Sequence, residues 1–224
     1  MCGWLAQACL INMHKWFVFP KFDEASEAAA DFLAENIKHA IQKNDVCHVV
    51  LPGGNTPASC LGILAEKKLP WDKVHWYLGD ERCYPQGHEE RNDVMLEKYL
   101  WSHISNTNIH RIPAEKGAEA AAEDYRKLIV SIGSFDIAFL GMGEDGHTAS
   151  LFPGNSALTD LRSVVPVYDA PKPPNKRVSL SITTLQKSQC RLVLTGGENK
   201  SDAISRVKNG EATNQLFRRY QLVC

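Results

Sequence analysis

The chain has 224 residues, of which 44% are apolar and 23% charged, and a formal net charge of −1. That length supports one large domain or two small ones with ample core, and the balance is that of an ordinary globular protein. Near-neutral charge without a run of like charges excludes a nucleic-acid surface or a charged tail as the reading, and no stretch is long or apolar enough to span a membrane.

Residues 1–13 carry no charge and have no basic segment ahead of their apolar part, so they do not read as a secretion signal. A second start at Met13 makes residues 1–12 an extension of no consequence, ahead of a single domain over 13–224. Lys15 to Phe19 reads as a first strand ended by Pro20. Ala25, Ala28, Ala29, Phe32, Leu33, Ile37, Ala40 and Ile41 recur at helical spacing, which predicts an amphipathic helix over about 24–43 with Asp23 as its cap. Val46 to Leu51 is a buried strand, followed by Pro52-Gly-Gly-Asn-Thr-Pro57 and a short helix to about Lys68. Val74 to Leu78 is the next strand, with Gly79-Asp-Glu-Arg82 directly after it. A loop with Pro85, Gly87 and His88 leads to a helix from about Asn92 to Trp101. Asn108 to Ile112 is strand-like, Gly117 to Ile132 helical, and Phe135 to Leu140 a buried strand.

Beyond it, Val164 to Val167 is strand-like and Asp169 to Lys176 a proline-rich surface excursion. Arg177 to Ile182 alternates as a strand, and Thr183 or Thr184 is placed to cap a short turn. Cys190 to Thr195 is a buried strand, followed by Gly196-Gly-Glu-Asn-Lys200 and a helix to about Lys208. Strands alternating with helices predict an α/β fold, a mostly parallel sheet with helices on both faces. Seven scattered cysteines without a Cys-x-x-Cys pair fit a reducing compartment, hence a cytoplasmic protein.

Four loops follow four apolar strands, and parallel strands bring such loops to one edge. Gly53, Gly54, Asn55 and Thr56 precede a helix, and their backbone N–H groups suit an anion cradle, although a plain Gly-Gly turn reads equally well. Asp80, Glu81 and Arg82 form either a surface salt-bridge cluster or a site, with Arg82 suited to a carboxylate or phosphate-like oxygen. Gly141, Gly143 and Gly146 surround Asp145 and His147, and His147 is the one residue in that loop able to move a proton near neutral pH. Asp145 could orient it, and a capped turn with a satisfied histidine stays open. Lys200 opens a helix and can reach a phosphate, and Arg177 is a further cation. The sum is an anion cradle, two or three cations and a histidine, which suits a small phosphorylated substrate. His75, His88 and His147 are scattered and Cys83 stands alone, so no metal is expected. No Gly-x-Gly-x-x-Gly follows the first strand, so no dinucleotide is expected either.

Pro52-Gly-Gly-Asn-Thr-Pro57, Trp76-Tyr-Leu-Gly-Asp-Glu-Arg82, the Gly141 to Gly154 run, Arg177-Val-Ser-Leu and Gly197-Glu-Asn-Lys200 together resemble the 6-phosphogluconolactonases of the sugar-phosphate isomerase/deaminase superfamily. Order and spacing agree over roughly residues 15–210. The resemblance implies a Rossmann-like three-layer α/β/α fold and hydrolysis of 6-phospho-D-glucono-1,5-lactone, the second step of the oxidative pentose phosphate pathway, with no cofactor. The expected partner is a small sugar-phosphate lactone, with no nucleic acid or membrane, and the expected state is a monomer or weak homo-oligomer. It casts His147 as general base, Asp145 as its support, and Arg82, with Asp80 beside it, as stabiliser of the oxyanion. It assigns Gly53, Gly54, Asn55, Thr56, Arg177 and Lys200 to the phosphate. The related glucosamine-6-phosphate deaminases resemble this chain through the Asp145-Gly-His147 core, but they carry a glutamate soon after the histidine. Here Thr148-Ala-Ser-Leu-Phe-Pro153 has no acid, and the next is Asp160. A sugar-phosphate binder without catalysis is the alternative of another class. Asn55 stands where the family has Ser or Thr. The last residues, 214–224, do not resemble the family's closing strand and helix, so a missing last strand and an open sheet edge are expected.

Overall fold

A computed structural model describes residues 15–105, 108–209 and 221–223. The expected extension at 1–12 lies outside them. Strand β1 (Lys15–Phe17) is followed by α1 (Phe22–Asn44), β2 (Cys47–Leu51), α2 (Thr56–Ala65), β3 (Val74–Leu78), β4 (Asp80–Arg82) and α3 (Asn92–Tyr99). Then come β5 (Ile109–His110), α4 (Ala118–Ile132), β6 (Ile137–Gly141), β7 (Val164–Val167) and β8 (Arg177–Leu180). The chain continues through α5 (Ile182–Gln186), β9 (Cys190–Leu194), α6 (Ser201–Lys208) and β10 (Gln221–Val223).

The main sheet has the order β1-β10-β9-β6-β2-β3-β5, and every pairing in it is parallel. From β2 the chain winds outward through β3 to β5, and from β6 it winds the other way through β9 to β10. The winding reverses between the neighbours β2 and β6, which pair Val49 with Ile137 and Val50 with Ala138. Open α/β sheets bind ligands outside the carboxyl ends of the strands at such a reversal. The loops after β2 and β6 are the two that carry Gly53–Thr56 and Asp145–His147.

Helix α1 shows why the sheet is covered closely. Ala25, Ser26, Ala29, Ala30, Leu33, Ala34, Ile37 and Ala40 form its buried face. Small residues there let the helix backbone approach its neighbours, and the helix packs on α2 and the sheet. Its cap is Lys21, not Asp23; Asp23 and Glu24 lie in the first turn, where negative charge suits the helix dipole.

Three expectations are corrected. The loop expected over Gly79 to Arg82 carries a strand, and β4, β8 and β7 form a separate antiparallel sheet outside the parallel one. All four residues of β8 are buried instead of alternating, because α4 packs on β7 and β8 while the other face turns toward the loops of the main sheet. The turn at α5 is capped by Ser181, whose hydroxyl accepts from the Thr184 N–H, and not by a threonine. Finally, the closing strand is present. Residues 221–223 lie parallel between β1 and β9, with Leu222 opposite Trp16 and Val193. Backbone pairing needs no particular side chain, so the unfamiliar C-terminal sequence still supplies a strand.

Candidate active site

A cleft of about 390 Å³ opens where the β2 and β6 loops meet the small sheet. It is lined by Gly53, Gly54, Asn55 and Thr56, by Asp80 and Arg82, by His147, and by Arg177 and Lys200. The topology thus brings together nine of the ten residues singled out from the sequence. The tenth, Asp145, sits behind His147.

The β6 loop is built around that histidine. Asp145 Oδ1 is 2.5 Å from His147 Nδ1 and accepts the His147 backbone N–H at 3.0 Å. The hydrogen bond from His147 holds the Asp145 carboxyl down at about 2. The Gly143 N–H closes the loop on the His147 carbonyl at 2.8 Å. A Cβ on Gly143 would lie 2.2 Å from the imidazole, so only glycine leaves room for the ring. Phe152 packs on the ring at 4.5 Å between centroids. Nδ1 is therefore committed, while Nε2 has no partner among the described residues.

Strand period sorts the three charged residues of β4. Asp80 and Arg82 face the cleft, and Glu81 faces the interior. Asp80 is held by Ser150 Oγ at 2.5 Å and by Asn92 Nδ2 at 3.3 Å. Arg82 donates Nη1 to the Glu90 carbonyl at 2.7 Å, and its buried Nε–H has no partner among the described residues. Glu81 is a structural acid. Its carboxylate takes the N–H groups of Arg82, Asn92 and Asp93 at 2.8–2.9 Å and so caps α3. Burial pushes it up to about 7, against those three donors.

Arg177 lies opposite Arg82 across the β4–β8 pair. Like charges facing each other across strands repel, which an anion between them would relieve. Burial pulls the Arg177 pKa down, with Asp80 opposing. Its Nε and Nη2, however, are engaged with backbone carbonyls of the 169–176 loop.

The cradle is intact in its backbone. The N–H groups of Gly53, Gly54 and Asn55 donate to no described residue, and they stand at the N-terminus of α2, where the helix dipole favours an anion. Gly53 is glycine for another reason than ligand approach: a Cβ there would lie 1.9 Å from the Asn92 amide. Lys200 Nζ reaches Thr56 Oγ1 at 3.1 Å, and burial lowers its pKa. Asn55 is exposed at the helix mouth, and its side chain makes no capping bond.

Several lining residues were given no role by the sequence reading, among them Asn92, Glu144, Thr148 and Lys172. Asn92 gave no signal beyond starting a helix, yet it bridges the Asp80 carboxylate and carbonyl to the Gly53 turn. Thr148 ties the loop back to the Gly141 carbonyl at 2.7 Å. His75, one of the scattered histidines, joins His48, His110 and Tyr77 on the sheet face instead of the cleft. Among the described residues no three His, Cys, Asp or Glu side chains are grouped to hold a metal, and no helix is long and apolar enough to cross a membrane.

A sequence profile described as glucosamine-6-phosphate isomerases/6-phosphogluconolactonase matches residues 20–219. The chain belongs to this family. Among curated members of the glucosamine-6-phosphate isomerase/6-phosphogluconolactonase family, a 6-phosphogluconolactonase of Mycobacterium leprae is 33% identical over 200 residues, covering 82% of this chain and 81% of its own. Among solved structures, a 6-phosphogluconolactonase of Thermotoga maritima superposes with a TM-score of 0.87 at 26% identity, covering 94% of this chain and 97% of its own. A monomeric glucosamine-6-phosphate deaminase also superposes, with a TM-score of 0.80 at 21% identity over 93% of this chain and 95% of its own. The family fold therefore carries both kinds of protein, and the side chains of the cleft must decide between them.

Proposed function

We propose that this chain is a cytoplasmic enzyme that hydrolyses 6-phospho-D-glucono-1,5-lactone to 6-phospho-D-gluconate. The observation that carries the proposal is the Asp145–His147 pair, with Nε2 of the imidazole open in a cleft whose other walls carry arginine and lysine. Asp145 stays ionised through the neutral range, so it fixes the proton on Nδ1 and leaves Nε2 as the base. Nε2 takes a proton from water as the water oxygen attacks the lactone carbonyl. The carbonyl electron pair moves onto oxygen, and Arg82, whose side chain lines the cleft, stabilises that charge, the preorganised form of electrostatic catalysis. Collapse breaks the bond from C1 to the ring oxygen, and His147 returns the proton to the departing alkoxide. The cradle at Gly53–Thr56, with Lys200, holds the phosphate, and that anchor fixes the carbonyl against His147. Asp80 keeps the cleft face of β4 ordered through Ser150 and Asn92.

The absence of an acid between His147 and Asp160 favours the lactone over an aminosugar, whose ring opening needs a further proton relay. Among the described residues Cys47, Cys60 and Cys83 are in no disulfide, which supports a reducing location. The test is the rate of disappearance of freshly prepared phospholactone with and without protein, run beside ammonia release from glucosamine 6-phosphate. Acceleration of the first without the second is expected. Equal lactone rates with and without protein would sink the proposal.

A further inference from the structure

The 169–176 loop joins β7 to β8 and reads in the sequence as a surface excursion. It is not free of the site. The Arg177 guanidinium fastens it from below: Nε donates to the Pro174 carbonyl at 3.2 Å, and Nη2 donates to the Lys172 carbonyl at 2.9 Å and to that of Pro173 at 3.5 Å. The guanidinium itself is buried and lies 5.4 Å over the Phe152 ring, so its plane is fixed. Inside the loop, Ala170 N–H donates to the Asn175 carbonyl at 3.0 Å. These bonds set the backbone position of Lys172, the residue of the loop that lines the cleft.

The cations on the cleft wall differ in what they already touch. Arg82 is bonded to Glu90, Lys200 to Thr56, and Arg177 to the loop. The Lys172 ammonium has no hydrogen bond or ion pair with a described residue, although its backbone is held by a buried arginine. An exposed lysine without a partner is ordinary on a surface. One whose main chain is clamped at the rim of a cationic cleft presents its charge to whatever the cleft holds.

We infer that Lys172 is a substrate-binding residue that contacts the phosphoryl group, and that Arg177 is the positioning residue that clamps the 169–176 strap and so delivers Lys172. The inference rests on the sugar-phosphate reading above. It divides the work of two cations: the Lys172 side chain meets the phosphate, and the Arg177 side chain holds the Lys172 main chain. The site would then discriminate for a phosphorylated sugar at its rim as well as in the cradle.

Titration calorimetry with two stable ligands tests it: 6-phosphogluconate, and glucitol 6-phosphate, which has the phosphate but no carboxylate. Lys172→Ala should weaken both by a similar factor, about five-fold for a charge contact that stays partly solvated. Lys172→Arg should restore both. Arg177→Lys keeps the charge but loses the planar fork that bonds the carbonyls, so it should weaken both ligands and also speed amide hydrogen exchange across 170–176. Unchanged affinities in Lys172→Ala overturn the inference. Weakening confined to 6-phosphogluconate also overturns it, because Lys172 would then serve the carboxylate end. Failure of the lactone assay with both ligands still bound removes the catalytic reading and leaves this one standing.

Discussion

Two acid–base clusters, one behind β4 and one in the loop after β6, do opposite things. Around Glu81, every charge is answered. Glu81 takes three backbone N–H groups, and Arg91 is bonded to Asp93 through Nε and Nη2, to Glu115 and to the carbonyls of Tyr84 and Ile112. Glu81 is fully buried and Arg91 nearly so. At the β6 loop, Asp145 and His147 make one tight pair and leave Nε2 unanswered at the cleft. A saturated buried network has no valence left for a ligand, and its members act on stability. An unsaturated, half-exposed pair has a valence to use. Charge type alone does not separate them; the count of satisfied hydrogen bonds does.

Substitutions at the two clusters should therefore separate cleanly. His147→Ala should lower kcat for the phospholactone by about 10³-fold, within the range of positioned acid–base catalysis, and leave the thermal midpoint nearly where it was. A variant with wild-type kcat would remove His147 as the base. Glu81→Gln should do the reverse. An amide presents an N–H₂ where Asn92 and Asp93 present N–H groups, and Arg91 loses a partner in the interior. The expected cost is about 3 kcal/mol, read as a drop in midpoint of roughly 6–12 °C for a chain of this size. Near-wild-type kcat should remain well below that temperature. A Glu81→Gln protein that melts like wild type would mean that the cluster's saturation is worth little.

The difference between the clusters also explains what the sequence could show. Apolar runs and punctuating glycines place β2, β3, β6 and β9 and the loops behind them, because burial on both faces imposes that pattern. Asp145 and His147 are two residues apart in one loop, so their contact is local and readable. Asn92 reaches the cleft from the start of a helix, and Lys172 reaches it through a clamp set by Arg177; neither contact follows from spacing. β10 escaped for a different reason. Its side chains do not resemble those expected, but a strand between two parallel neighbours is specified chiefly by backbone pairing. The separate antiparallel sheet was hidden because β4 follows β3 after a single residue, and the break at Gly79 is made by long-range bonds: its N–H to the Leu51 carbonyl, and its carbonyl from the Leu180 N–H.

A third cluster sharpens the comparison with the smallest expected effect. His48, His75 and His110 lie together on the sheet face, with His48 Nδ1 3.0 Å from the Tyr77 hydroxyl and His75 Nδ1 3.2 Å from His110 Nε2. Asp136 is the nearby acid; its carboxylate accepts the His48 N–H and the amides of Asn44 and Gln189. Burial, then repulsion from neighbouring His75, lowers the pKa of both His48 and His110 below 6.5. A histidine with a depressed folded pKa leaves the native state less protonated than the unfolded chain, so stability falls with pH once pH drops below 6.5. Asp145 acts in a separate window: its stabilisation is present above 3.8 and is lost as pH falls through about 2. Glu81, pushed up to about 7 by burial, works the other way over the same range, because its folded carboxyl takes up a proton before the unfolded chain does. The histidine share is therefore read by difference: from about pH 7.5 to about pH 5.5 the urea midpoint of His110→Gln should fall less, or rise more, than that of the wild type, because one refused proton is gone. The kcat profile, set by the pair at the cleft, should keep its acid limb in that variant. An equal slope in His110→Gln and wild type would show that the fold does not refuse protons at the sheet histidines, and the distinction between closed and open clusters would fail for this protein.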